Sequence, residues 1–147
     1  MAEEVATKPG WLWFALAAAV FAAATTLLGK VGVGEMNSNL ATFIRVIVML
    51  VVTVGLITAR GEWTGLGSVS TRMLLIVIAS GLATGLSWLC YFHALQLAPA
   101  SRVGPLDKVS VAIVMVVAIA FLGEPFTWQV ALGGTFIVVG VVLVALH

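Results

Sequence analysis

The stretch VGPLDKVSVAIVMVVAIAFL, Val103–Leu122, carries two adjacent charges, Asp107 and Lys108, and then none as far as its end. The uncharged part, Val109–Leu122, has 14 residues. As a helix it would be about 21 Å long, whereas the hydrocarbon core of a bilayer is about 30 Å thick. A spanning helix must therefore begin several residues earlier, near Arg102. The stretch predicts a membrane-spanning helix with a charged pair just inside one of its ends.

The composition of the whole chain agrees with a membrane protein. Of its 147 residues, 62% are hydrophobic and only 9% are charged, whereas a soluble domain is about a quarter charged. The net charge of +1 gives no indication of nucleic-acid binding. Cys90 is the only cysteine, so no intrachain disulfide can form and no redox or metal framework follows. We expect no cofactor.

Five segments are long and apolar enough to span a bilayer, each needing about 20 residues. The first is read as a retained helix and not as a cleaved signal, because two glutamates and one lysine precede it instead of a basic region. The chain is thus predicted to be an all-α integral membrane protein, with a short polar N-terminus at 1–9 and one five-helix membrane domain at 10–147. The spans are predicted at about 10–28, 40–59, 72–97, 102–122 and 126–146.

Charged and polar residues are predicted to gather in one layer of this bundle. The directions of the helices bring five ionisable residues to the same depth, and ionisable groups within spans usually face a bundle interior or a cavity. Adjacent helical residues point about 100° apart, so we expect Asp107 to pair inward with Arg45 while Lys108 faces the cavity or the headgroups. The layer consists of Lys30, Arg45, His93, Asp107 and Lys108.

Several of these residues have a second interpretation. Trp88 and Tyr91, with His93, suit the binding of an organic molecule or cation through ring faces, but they equally suit ordinary aromatic packing. His93 is either a proton-handling group or a satisfied interior histidine, and Lys30 either lines the site or anchors the helix end. Glu124, in the turn LGEPF, is interpreted as a structural cap at the start of the last helix.

Glycines mark two predicted packing faces. Gly81 and Gly85 on the third span form a small-xxx-small pair, which permits close helix approach in membranes. Gly133 and Gly140 lie on the otherwise valine- and leucine-rich fifth span. These four glycines are the predicted helix-packing residues.

The basic residues near the span ends give almost no bias in orientation. The N-terminal side holds Lys8, Arg60 and Arg72, and the opposite side holds Lys30 and Arg102. Basic residues normally accumulate on the cytoplasmic side. A near-equal distribution leaves open whether the chain inserts in one orientation or in both.

Three stretches resemble one EamA repeat of the drug/metabolite transporter superfamily, in a small single-repeat subgroup. They are GWLWFALAAAVFAAATTLLGKVGVGEMNSNLATFIR, YFHALQLAPASRVGPLDKVSV and FLGEPFTWQVALGGTFIVVGVVLVAL, and together they extend over about residues 10–146. Larger members carry two such repeats in opposite orientation around a substrate cavity. The resemblance implies that this chain is half of an inverted-repeat transporter, which an antiparallel homodimer could complete.

The leading functional hypothesis is a secondary-active exporter or exchanger of a small metabolite. It would work by alternating access as a homodimer in membrane lipid, with Asp107 or His93 coupling protons. The expected location is the cytoplasmic (inner) membrane of a bacterium or archaeon. No catalytic motif is present, so an enzyme is not expected. The alternative is a non-transporting membrane module that pairs with another membrane protein.

Overall fold

The structure, a computed structural model, describes residues 10–146, and every regular element within that range is helical. The elements are α1 (Trp11–Gly32), α2 (Ser38–Arg60), a 3₁₀ helix (Glu62–Ser68), α3 (Thr71–Leu97), α4 (Ala100–Asp107), α5 (Val109–Phe121) and α6 (Trp128–Ala145). With α4 and α5 taken as one span, the described residues form five helices long and apolar enough to cross a membrane. The predicted all-α integral membrane fold with five spans is confirmed.

The first two helices have bounds that matter for the charged residues. Because α1 continues to Gly32, Lys30 lies within its last turn. The side chain of Asn37 accepts a hydrogen bond from the Asn39 N–H at 2.9 Å and caps the start of α2. Arg45 is therefore seven residues past the first residue of α2, about 10 Å along the helix axis.

The fourth span is broken, although the sequence predicts one continuous helix. Pro105 lies inside α4 and has no N–H to donate to the carbonyl one turn before it. At the junction, the Lys108 N–H donates to the Pro105 carbonyl at 2.9 Å, and the Val111 N–H donates to the Lys108 carbonyl at 3.0 Å. Both are three-residue bonds of the 3₁₀ type. The charged pair thus lies at a helix junction.

The turn between α5 and α6 corrects the prediction for Glu124. Gly123 has a φ of 72°, and the Glu124 N–H donates back to the Ala118 carbonyl at 3.2 Å, so these residues end α5. The cap of α6 is Thr127, whose hydroxyl accepts from the Val130 N–H at 3.3 Å. Glu124 does not cap α6, because the helix begins at Trp128 and Thr127 holds the cap position.

The described chain divides into two compact units. One comprises 29–97; in it α2 packs on α3, and the buried residues lie at the end of α1, the start of α2 and the end of α3. The other comprises 10–28 and 98–146, in which α4 and α5 pack on α6. Most large apolar side chains of both units are exposed, as expected where lipid or a partner covers them.

Candidate functional site

Arg45 lies against two aromatic rings of α3. Its guanidinium carbon is 4.1 Å from the centroid of the Phe92 ring and 5.9 Å from that of Trp88. Trp88 and Phe92 are four residues apart and so share one face of α3. Both distances lie within the range of cation–π attraction, which strengthens where water is excluded.

The Nε atom of Arg45 is buried, and no residue of the described range 10–146 accepts a hydrogen bond from it. The residue as a whole keeps some exposure. A buried donor without an acceptor costs about 1–3 kcal/mol, and more when the group is charged. The arrangement therefore suits a group that gains an anionic partner.

Gly29 of α1 makes room for this stack. A Cβ at this position would lie 2.5 Å from Cε1 of Phe92 and 3.5 Å from Nη1 of Arg45. Phe92 is almost fully buried. Gly29 and Phe92 were not among the residues predicted for the site. A glycine inside a helix costs about 0.5–1 kcal/mol relative to alanine. That cost is the only signal in the sequence that could have drawn attention to Gly29.

Polar bonds tie the elements around Arg45 together. The Lys30 ammonium donates to the Leu95 carbonyl in the last turn of α3. The side-chain amide of Gln96 donates to the Val33 carbonyl at 3.1 Å and to the Met36 carbonyl at 2.8 Å. Lys30 thus satisfies a carbonyl at a helix C-terminus, and its predicted place in the substrate site stays a prediction.

Tyr91 and His93 flank Phe92 in the sequence but differ in their surroundings. The Tyr91 ring meets the Phe92 ring edge-on, with centroids 5.5 Å apart and an interplanar angle of 87°. His93 is exposed. The structure brings Arg45, Trp88, Phe92 and, through the ring edge, Tyr91 together, while the role predicted for His93 stays a prediction.

Asp107 and Lys108 form an ion pair with each other. The Lys108 ammonium is 3.0 Å from Asp107 Oδ2, and the two side chains are 53% and 38% exposed. Lys108 keeps helical dihedral angles, with a φ of −73° and a ψ of −5°, so the pair forms between neighbouring residues through the long lysine side chain. Pairing of Asp107 with Arg45 stays a prediction, since these residues belong to different units.

A groove of about 490 Å³ runs between α1 and α4, with Lys108 on its wall. Its volume is within the usual range of ligand pockets, about 300–1,000 Å³. The other lining side chains are small or apolar, apart from two hydroxyls. They are Ala19, Ala22, Ala23, Thr26, Leu27, Ala100, Ser101 and Gly104.

The four predicted packing glycines face open space. A Cβ at Gly81, Gly85, Gly133 or Gly140 would meet nothing within 4 Å in the described chain. Close packing inside the chain instead occurs at Gly29 and at Gly134, where a Cβ would lie 3.0 Å from the Met115 sulfur. A packing role for the four predicted glycines stays a prediction that concerns another molecule.

Five apolar spans, with a charged pair at the junction inside the fourth, define a helical membrane protein. The EamA-like transporter family matches residues 9–146, and the chain belongs to this family. The predicted membership of the drug/metabolite transporter superfamily is confirmed.

Two kinds of relative are similar to this chain. An "uncharacterized transporter in cobO 3'region" of Sinorhizobium sp is 44% identical over 92% of this chain and 96% of its own length. A "probable 4-amino-4-deoxy-L-arabinose-phosphoundecaprenol flippase subunit ArnF" of Pseudomonas fluorescens (strain Pf0-1) is 31% identical over 56% of this chain and 63% of its own. The corresponding subunit of strain Pf-5 is 35% identical over 53% and 58%. No solved structure shows a significant match. Family and relatives indicate a membrane transporter and not an enzyme.

Proposed function

We propose that this protein is a secondary-active transporter, an exporter or exchanger, of a small anionic or zwitterionic metabolite. It works by alternating access as a homodimer in the cytoplasmic (inner) membrane. The single observation that carries the proposal is Arg45, a permanently charged side chain about 10 Å into a span with a buried donor that no described residue satisfies. Charged groups at such depth generally belong to substrate or ion pathways.

The single repeat supports the dimer. In two-repeat transporters, substrate binds between two halves of opposite orientation, whereas residues 10–146 of this chain supply five spans. Its near-equal distribution of basic residues is compatible with insertion in both orientations, so two copies could form an antiparallel pair. Asp107 and Lys108, at the break in the fourth span, would contribute the second charged element, with Asp107 or His93 as proton carrier.

Transport by reconstituted protein tests the proposal. Purified protein in liposomes is screened for uptake of carboxylates, amino acids and sugar phosphates, and Arg45→Gln is then compared on the confirmed substrate. We expect Arg45→Gln to lose most uptake. Arg60→Gln, which removes the same charge from the exposed end of α2, serves as the matched control and should transport normally.

The lysine variant adds a sharper comparison. Arg45→Lys keeps the charge but loses the planar fork of donors and its stacking on a ring. We expect it to transport as poorly as Arg45→Gln. Full activity of Arg45→Gln would remove Arg45 from the substrate site and with it the main support for the proposal.

A second candidate is a subunit that acts only with another membrane protein. Two relatives are named as flippase subunits, and the groove between α1 and α4 offers small side chains on which a partner helix or a lipid chain could lie. Reconstitution separates the two candidates. Uptake by the purified chain alone rejects the second one, whereas uptake that requires a copurifying partner rejects the homodimer.

A further inference from the structure

We propose that Gly29 and Phe92 are positioning residues that hold the Arg45 guanidinium ready for an oxyanion with two coplanar oxygens, as in a carboxylate or phosphate. This inference rests on the proposed function in one respect, since it treats Arg45 as the group that binds substrate. Beyond that function, Gly29 and Phe92 orient the guanidinium, and the guanidinium selects an oxyanion. Gly29 acts only through the two side chains packed on it.

The shape of the guanidinium limits how a ligand can reach it. A guanidinium is planar, and all its N–H donors lie in that plane. An acceptor therefore reaches these donors from the edge of the guanidinium, whose central carbon lies over the Phe92 ring, 4.1 Å from its centroid. Edge-on approach suits a carboxylate or phosphate, which can accept two parallel hydrogen bonds.

The buried donor of Arg45 is its Nε–H group. Nε of Arg45 is enclosed without an acceptor in residues 10–146, so the guanidinium is not held in place by hydrogen bonds from Nε. Its orientation depends on ring packing instead. An unsatisfied buried donor in a native protein calls for an explanation, and a functional role or a bound ion is among the recognised ones.

The contact between Arg45 and Phe92 depends on Gly29. Phe92 is buried, and its ring edge occupies the space where a Cβ of residue 29 would lie, 2.5 Å from Cε1. Nη1 of Arg45 lies 3.5 Å from the same point. Any side chain at position 29 must displace the ring, and the guanidinium stacked on it moves as well.

Arginine side-chain NMR tests the orientation without a transport assay. The chain has four arginines, Arg45, Arg60, Arg72 and Arg102, so full-length protein labelled with ¹⁵N-arginine in detergent micelles gives a short Nε–H spectrum. We expect the Arg45 signal, assigned by its loss in Arg45→Gln, to exchange slowly with water and to be displaced upfield by the ring. Phe92→Leu should remove the displacement, whereas Phe136→Leu, at an exposed position of α6, should leave it unchanged.

Substitutions of glycine test the positioning role. Gly29→Ala should shift the Arg45 signal, and Gly32→Ala, which adds the same methyl group where nothing lies within 4 Å, should not. The double variant Gly29→Ala/Phe92→Leu keeps the experiment informative if Gly29→Ala folds poorly, because the smaller leucine relieves the contact. An Arg45 signal unaffected by both Phe92→Leu and the glycine variants would overturn the positioning role.

Anion titration tests the ligand chemistry with benzoate and inorganic phosphate as probes and neutral benzamide as control. We expect benzoate or phosphate to shift the Arg45 Nε–H signal in a saturable manner, with binding roughly tenfold or more weaker in Phe92→Leu. A response to benzamide of the same size, or to neither anion, would overturn the oxyanion site. Either result is independent of transport, so failure here is distinguishable from failure of the proposed function.

Discussion

Gly29 and Gly134 are the two glycines at which the chain packs most tightly against itself, and they differ in what they contact. A Cβ at Gly29 meets the rigid ring of Phe92 at 2.5 Å, and a Cβ at Gly134 meets the sulfur of Met115 at 3.0 Å. Methionine adapts its shape with little cost, whereas a buried ring does not. Close approach alone therefore does not decide how much a substitution costs.

This difference predicts the stability of two alanine variants. Gly29→Ala should lower the free energy of unfolding by about 1–3 kcal/mol, the usual range for overpacking. Gly134→Ala should lower it by less than about 1 kcal/mol, because the thioether can move and alanine favours the helix. Thermal unfolding in detergent measures both.

Gly32→Ala and Gly133→Ala are the matched controls for these variants. Each adds a methyl group to the same helix as its counterpart, at a position with nothing within 4 Å. Both should be neutral or stabilising. If Gly32→Ala destabilised the protein as much as Gly29→Ala, the Phe92 contact would not be the cause.

Between helices, Gln96 connects the end of α3 to the segment that joins α1 and α2. Its amide donates two hydrogen bonds to backbone carbonyls of that segment, at Val33 and Met36. We expect Gln96→Ala to destabilise this attachment by about 1–3 kcal/mol, from two lost bonds of about 0.5–1.5 kcal/mol each. The rate of amide hydrogen exchange in Val33–Leu40 should rise. Gln129→Ala, at an exposed position of α6, should leave that rate unchanged.

Pro105 lies three residues before the junction that separates α4 from α5. Replacing it by alanine restores one N–H donor and removes the ring clash, which together amount to about 3 kcal/mol in a helix interior. We expect Pro105→Ala to raise the thermal stability while lowering transport, because it straightens the span beside Asp107 and Lys108. Higher stability with undiminished transport would show that the break has no part in function.

For the molecule as a whole, the small charge bias should make orientation easy to change. Glu62→Lys/Thr64→Lys adds basic residues to one side of the membrane, and Glu35→Lys/Met36→Lys adds them to the other. Reporters fused after His147 should show both orientations for the unchanged chain and opposite single orientations for the two variants.

The same two variants test whether the working unit is antiparallel. Each variant expressed alone should be inactive, and coexpression should restore transport, because only then do both orientations coexist. A single clean orientation of the unchanged chain, or full activity of one variant alone, would contradict the antiparallel homodimer.

Fold class and family follow from local properties of the chain. The number of spans depends on the length and polarity of each apolar run, and a bilayer requires both within narrow limits. For the same reason Arg45 could be assigned to a span by counting from either end of its helix. Helix ends were less predictable, because they depend on hydrogen bonds for which several nearby groups compete. Examples are the cap at Asn37, the junction after Pro105 and the turn at Gly123.

The sequence by itself determined that this protein is an all-α membrane protein of the EamA-like family with charges inside its spans. Only the tertiary structure decided which neighbours those charges have. Arg45 lies over the ring of Phe92, against which Gly29 leaves space, and Asp107 pairs with Lys108 at the junction of α4 and α5. Hydropathy is a property of each segment, whereas side-chain partners depend on how segments distant in sequence pack together.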